Sequence, residues 1–261
     1  MIISHNNKYL FLQTPHTAST AIANELCKFY NGESILRKHA NYLEFKRMSN
    51  SKEKNYFVFS TVRNPLDEAT SIYTKYLTNH KSNYTDIKKR LENGGWVSKK
   101  HIRRYLFTQN KENDFGDFLK KFFSHPYISV IEVNKKYCDY IMRYENIQND
   151  FSNVLKLLDL KEVRPLPVLN KTENKSHYLH YYKDDDTIKH AIKISGPFMK
   201  EWGYSFPSHW NASRYNSLSF FEYYITKRIM LHDSKCRKVS PLIRLLREIG
   251  IEYVPFPRRK R

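Results

Sequence analysis

Short apolar runs of strand length alternate along this chain with segments whose apolar residues recur at helical spacing. Residues 9–12, Tyr-Leu-Phe-Leu, form the first run. A hydroxyl-rich turn follows from Gln13 to Thr20, and Ala21-Ile22-Ala23-Asn24-Glu25-Leu26 enters a helix. Residues 56–62, Tyr-Phe-Val-Phe-Ser-Thr-Val, are apolar, β-branched and aromatic, the pattern of a buried parallel strand. They end in Arg63-Asn64-Pro65, and Pro65 suits the first turn of a helix, where a missing N–H costs nothing. That helix carries Leu66, Ala69, Thr70, Ile72, Tyr73 and Tyr76. A third unit joins a strand at 137–144 to a helix that begins at Glu145 and Asn146 and stops near Leu160.

Between these units the pattern is more polar. His39 sits just before a short helix that ends at Phe45, and residues 50–55 form a polar turn. Residues 78–113 are lysine-rich, broken at Gly94-Gly95, and predict an exposed helical insertion, either a lid over an acceptor or a solvated arm. Residues 115–123 read as an amphipathic helix, 127–133 as a short strand or extended segment, and 165–176 as a loop. Residues 182–202 read as a helix, closed by Gly203-Tyr204. The alternation predicts an α/β fold with a central parallel sheet flanked by helices. That domain is expected over 1–210, followed by a basic helical C-terminal extension over 211–261 with helices at 220–230 and 242–249.

Composition narrows the chemistry. The chain has 261 residues and is 15% aromatic, too aromatic for a disordered chain and long enough to bury a core without disulfides. Its formal charge of +19 favours phosphate-bearing or polyanionic partners without choosing among them. No nucleic-acid-binding signature accompanies the charge, so no specific nucleic acid is expected. Residues 219–261 hold eleven Lys/Arg against four Asp/Glu, which suits either helices packed on the core or contact with an anionic membrane or acidic acceptor. Cys27, Cys138 and Cys236 are widely spaced with no Cys-x-x-Cys pair, so neither a structural zinc nor any other metal is expected. Sparse thiols, no signal-peptide pattern and no run of spanning length predict a cytoplasmic protein.

The first strand–turn–helix is an anion site in outline, because a helix start has unpaired N–H groups and a positive dipole end. It lacks the glycines and lysine of a Walker A loop. It offers backbone amides, hydroxyls of Thr14, Thr17, Ser19 and Thr20, and His16. Hydroxyl-rich turns are also ordinary helix caps. The second unit adds Arg63 at a strand end, whose guanidinium fork suits phosphate oxygens. Ser71, eight residues on, falls a little over two helical turns later and shares its face.

In this order, the motifs resemble those of sulfotransferases that use 3′-phosphoadenosine 5′-phosphosulfate (PAPS), above all the carbohydrate branch that includes the uronyl 2-O-sulfotransferases. LQTPHTASTA (12–21) resembles the family's 5′-phosphosulfate loop, and FVFSTVRNPLDEATSIY (57–73) its 3′-phosphate motif. MRYENIQNDFSNVLKLL (142–158) and LNKT (169–172), with the helix ending at Trp202-Gly203-Tyr204, are similar to its later segments. The first two motifs are fairly specific and the later two supportive. The resemblance spans residues 8 to 207 and implies a P-loop-like three-layer sandwich.

It also implies roles. Pro15, His16, Thr17, Ala18, Ser19, Thr20 and Ala21 would hold the 5′-phosphosulfate, Arg63 and Ser71 the 3′-phosphate, and Asn170 would contact the cofactor. His39 to Phe45, HANYLEF, matches the family's His-x-x-x-x-x-Phe, which makes His39 the expected catalytic base. His177 and His180 are reserves, with a surface Tyr/His cluster as the bland alternative. The departure is His16, which stands where the family usually has lysine to stabilise the leaving oxygen. The implied reaction is sulfuryl transfer from PAPS to a hydroxyl of a glycan, acidic glycans among the candidates, with His16 and His39 catalytic. The rivals are an inactive nucleotide- or polyanion-binding relative and a P-loop kinase.

Overall fold

A computed structural model of the chain describes residues 1–169, 171–212 and 217–235. The strands are β1 (Ile2–Ser4), β2 (Tyr9–Leu12), β3 (Glu33–Ser34), β4 (Phe57–Val62) and β5 (Tyr140–Arg143). The helices are α1 (Ser19–Phe29), α2 (Tyr42–Lys46), α3 (Pro65–Leu77), α4 (Lys99–Gln109), α5 (Phe115–Phe122), α6 (Ile131–Asn134), α7 (Ile147–Leu157), α8 (Asp185–Glu201) and α9 (Ser217–Lys235). These residues divide into two compact units, one built from 1–63, 128–170 and 225 onward, the other from 64–127 and 171–224.

The first unit holds the sheet, in the order β3-β1-β2-β4-β5. β2, β4 and β5 are parallel, with Leu12 opposite Ser60 and Val62 opposite Arg143. β1 and β3 add an antiparallel edge, with Ile3 opposite Leu10. The sheet is therefore mixed, with the expected parallel core. Alternation along β2 sends Tyr9 and Phe11 to one face and Leu10 and Leu12 to the other. The first face packs on Ile22 and Leu26 of α1 and Phe151, Val154 and Leu155 of α7. The opposite face packs on Tyr42 and Phe45 of α2. Helices thus cover both faces of the sheet, the three-layer α/β arrangement expected from the sequence.

Two expectations need correction in this region. Residues 127–133 form no strand: 127–129 have no regular structure, and Ile131–Asn134 forms the helical turn α6, buried throughout. Its carboxylate Glu132 pairs with Lys227 at 2.7 Å, and Asn134 Oδ1 accepts the Tyr42 N–H at 3.0 Å. These long-range polar contacts outweigh the β-branched local preference. β5 is also shorter than 137–144, because Lys135–Tyr137 and Tyr144–Asn146 are 3₁₀ turns on either side of it.

In the second unit, α3, α5 and α8 surround an aromatic core of Tyr73, Tyr76, Phe115, Phe118, Tyr182 and Trp210. Gly116 of α5 has a steric reason: a Cβ there would stand 2.3 Å from Thr187 Oγ1 of α8. The 78–113 segment is helical only over α4; before it lie short 3₁₀ turns at His80–Ser82, Ile87–Lys89 and Leu91–Asn93. Left-handed Asn79, Lys81 and Ser82 interrupt any continuous helix there. The expected helix at 220–230 is part of α9, while that at 242–249 lies outside the described residues. Among the described residues no helix is long and apolar enough to cross a membrane.

Candidate active site

The first unit brings three stretches of chain to the carboxyl ends of β2 and β4, where open α/β sheets bind ligands. The first is the loop from β2 to α1. Parallel pairing sets Ser60 beside Leu12, and β4 continues two residues further. Ser60 donates to the Leu12 carbonyl at 2.7 Å, so the Thr14 hydroxyl donates to Ser60 Oγ at 3.0 Å. Thr17 Oγ1 donates to the Thr14 carbonyl at 2.9 Å and in turn accepts from the Thr61 hydroxyl. A ladder of four hydroxyls thus fixes the loop to the strand. Thr14, Thr17, Ser60 and Thr61 are buried by it, so these hydroxyls shape the loop.

That anchoring holds an unusual backbone. His16 and Ala18 have φ of 60° and 59°, a left-handed conformation that costs a non-glycine residue about 1–2 kcal/mol. Left-handed residues flank Thr17, and backbone turns of this kind can gather N–H groups around an anion. Ala18 is the cap residue of α1, and no side chain caps this helix start. The first turn carries no acidic residue either. Its positive dipole end is unopposed from within the helix. Pro15 and Thr20 are half-buried, His16 is exposed, and Ser19 and Ala21 are buried.

Arg63, just past β4, is the second stretch. It is only 6% exposed. One guanidinium nitrogen donates to the His16 carbonyl at 2.7 Å, and the group lies 3.9 Å from the ring centre of Tyr144, just past β5. The neighbouring strand ends thus hold the cation against the loop.

The third stretch is the turn before α2. Asn41 caps α2 in a capping box: its Oδ1 accepts from the Glu44 N–H, and Glu44 Oε1 from the Asn41 N–H, both at 3.1 Å. Arg37 forks onto the Glu44 carboxylate and donates to the His39 carbonyl at 3.3 Å. His39 is thereby aimed at the loop, with Nδ1 2.9 Å from the Gln13 carbonyl. A carbonyl only accepts, so Nδ1 carries the proton and Nε2 keeps its lone pair. Burial lowers the imidazole pKa below its ordinary value, helped by the charges of Lys38 and Arg37, while the Gln13 bond opposes them. The result is a neutral imidazole in the tautomer of a base. Lys38, beside it, donates to Thr20 Oγ1 at 2.8 Å.

The other sequence-predicted residues stand as follows. Ser71 is buried on α3, in the second unit. Asn170 lies outside the described residues. His177 and His180 are exposed, with ring centres 6.0 Å apart, in and beside the turn Tyr178–Tyr181 of the second unit. Among the described residues no group of three or more His, Cys, Asp or Glu could hold a metal ion. Two residues escaped the sequence: Lys38, and Tyr144, whose ring carries Arg63. A lysine directly before a candidate base was the available signal for the first.

A family model described as "Sulfotransferase family" matches residues 1–195. A CRISPR-associated endoribonuclease Cas13a of Lachnospiraceae bacterium (strain NK4A179) is 29% identical over 163 residues, 60% of this chain and 9% of that protein. The chain therefore spans under a tenth of that relative's length, and the activity in its name belongs to that protein. No solved structure matches the chain significantly.

Proposed function

The chain belongs to the sulfotransferase family, and from that premise we propose that it moves a sulfuryl group from PAPS to a hydroxyl of a carbohydrate or glycan acceptor. The observation that carries this reading is His39, a neutral base with Nδ1 tied to the Gln13 carbonyl, on the loop that opens the uncapped start of α1. An uncapped helix start beneath left-handed His16 and Ala18 fits the 5′ end of such a donor. Arg63 and Ser71 are assigned to its 3′-phosphate, and Pro15 to Ala21 to its 5′ end; Asn170 is assigned from the resemblance alone.

PAPS, when bound, supplies the sulfuryl group. The chain supplies the rest. His39 Nε2 accepts the proton of the acceptor hydroxyl, while the Gln13 carbonyl holds the other nitrogen in the donor state and steadies the imidazolium that forms. The amides of Thr17 to Thr20 and the start of α1 face the growing negative charge with dipoles already oriented, the usual main source of rate enhancement. The charge of +19 fits an acidic glycan acceptor. Leu218, Phe221, Tyr224 and Ile225, exposed along α9, fit peripheral contact with an anionic membrane.

Calorimetry with 3′-phosphoadenosine 5′-phosphate (PAP) and a sulfate-transfer assay over a panel of glycans test this reading. Wild type binds PAP, and His39→Gln keeps that binding while losing about 10²–10⁴-fold in turnover. PAP binding without transfer to any acceptor would favour the second reading, an inactive relative, for which His16 in place of a loop lysine is the supporting observation. Binding of ATP with magnesium in preference to PAP would favour a kinase.

A further inference from the structure

The loop at the start of α1 meets a doubly charged 5′ end with one ionisable side chain of its own, His16. Imidazole is not a permanent cation near neutral pH, whereas an ammonium is. The structure brings an ammonium to the same place from another element. Lys38 lies in the turn fixed by the Arg37–Glu44 fork and the capping box, and reaches the second residue of α1, donating to Thr20 Oγ1 at 2.8 Å.

We propose that Lys38 is the cation of the 5′-phosphosulfate site, the charge that the loop does not carry itself. The proposal rests on the PAPS reading of this loop. Its chemistry follows from donor and acceptor roles. An ammonium can only donate, so Thr20 accepts through its oxygen and keeps its own O–H for an anion oxygen. Lys38 thus polarises a donor at the helix start and adds a full charge to the dipole and amides there. Lys38 is exposed and open to an arriving anion, while partial desolvation lowers its pKa. The same charge presses on the neighbouring base, because Lys38 is among the groups that hold the His39 pKa down. One side chain therefore serves both halves of the site: it holds the donor's anionic end and adds to the burial that lowers the pKa of the base.

The test is calorimetry on the full chain with two probes, PAP and adenosine 3′-monophosphate, which lacks the 5′ phosphate. Lys38→Ala and Lys38→Gln are expected to weaken PAP by about 10- to 100-fold, the value of a charge-assisted contact. Adenosine 3′-monophosphate should change less than about threefold, within ordinary scatter between contexts. Lys38→Arg should hold PAP near the wild-type level. His16→Lys placed in the Lys38→Ala background should recover most of the loss, since it returns a cation to the loop from the other side. The His39 imidazole, followed by NMR, should titrate at higher pH in Lys38→Gln than in wild type. If Lys38→Gln binds PAP as tightly as wild type, or both probes weaken equally, the assignment of Lys38 is wrong while the PAPS reading stands. If wild type itself fails to bind PAP, the PAPS reading falls and Lys38 with it.

Discussion

Replacing Arg63 by lysine should damage this protein even though the charge is kept. The buried guanidinium makes two contacts that an ammonium cannot make together. It donates to the His16 carbonyl at 2.7 Å and lies over the Tyr144 ring, 3.9 Å from its centre. A hydrogen bond from a charged donor contributes about 1.5–3 kcal/mol. A desolvated cation–π contact contributes about 2 kcal/mol. Lysine keeps one contact or the other, so Arg63→Lys should cost roughly 2–3 kcal/mol. In a domain of this size that lowers Tm by about 4–12 °C. Arg63→Ala should cost more, because it also frees the left-handed His16 from the bond that restrains it. Scanning fluorimetry without ligand reads these shifts. Repeating it at saturating PAP reads the second role: wild type at about 100-fold excess over Kd should gain about 2.7 kcal/mol, and Arg63→Ala should gain almost nothing. The stack on Tyr144 is isolated by a double-mutant cycle with Tyr144→Ala, whose expected coupling is about 0.5–2 kcal/mol. An Arg63→Lys variant that melts within about 2 °C of wild type, with effects additive to Tyr144→Ala, would refute the physical account of this residue.

Three further predictions follow from the same geometry. The folded-state pKa of His39 lies below its unfolded value of about 6.5, so between the two the unfolded chain binds the extra proton. Stability should therefore fall as pH drops below about 6.5, and His39→Gln should flatten that limb in urea titrations run from pH 7 to 5. Ala18→Gly should raise stability by roughly 0.5–1 kcal/mol, because relief of the 59° φ exceeds the extra chain entropy of glycine, while Ala18→Val should lower it. Asp150→Asn should cost about 1–3 kcal/mol in urea, because Asp150 accepts from the Arg143 N–H at 2.6 Å and from Asn146 Nδ2 at 3.0 Å, linking the end of β5 to α7.

How much of this was legible in the sequence differs between parts. The run at 56–62 announced β4 because every residue is apolar, β-branched or small, as a strand covered on both faces requires. β1 went unread: three residues, Ile2–Ser4, carry too little period to separate a strand from a loose apolar end, and only pairing with β2 gives them a shape. The 127–133 segment misled for the opposite reason. Its local preference was clear, but Glu132 within it and Asn134 just after it have partners nearly a hundred positions away, Lys227 and Tyr42, which no local window contains.

The candidate site shows the same division at the scale of single side chains. The hydroxyls of 13–20 are visible as a composition, and the sequence invites the inference that they contact the ligand directly. The structure adds internal partners for several of them: Thr14 and Thr17 hold the loop to Ser60 and Thr61, and Thr20 accepts from Lys38. The left-handed backbone at His16 and Ala18 had no signal, because neither residue is a glycine and the strain is borne by contacts from β4. Lys38 is the extreme case. In a chain with 45 lysines and arginines one more lysine carries no information. Its meaning lies in where the turn before the Asn41–Glu44 capping box delivers it, onto Thr20 eighteen residues back in the chain. A site assembled from a loop, a strand end and a helix cap can therefore replace one of its cations from a different element. The motif that marks the loop then loses a letter while the field at the helix start keeps its sign.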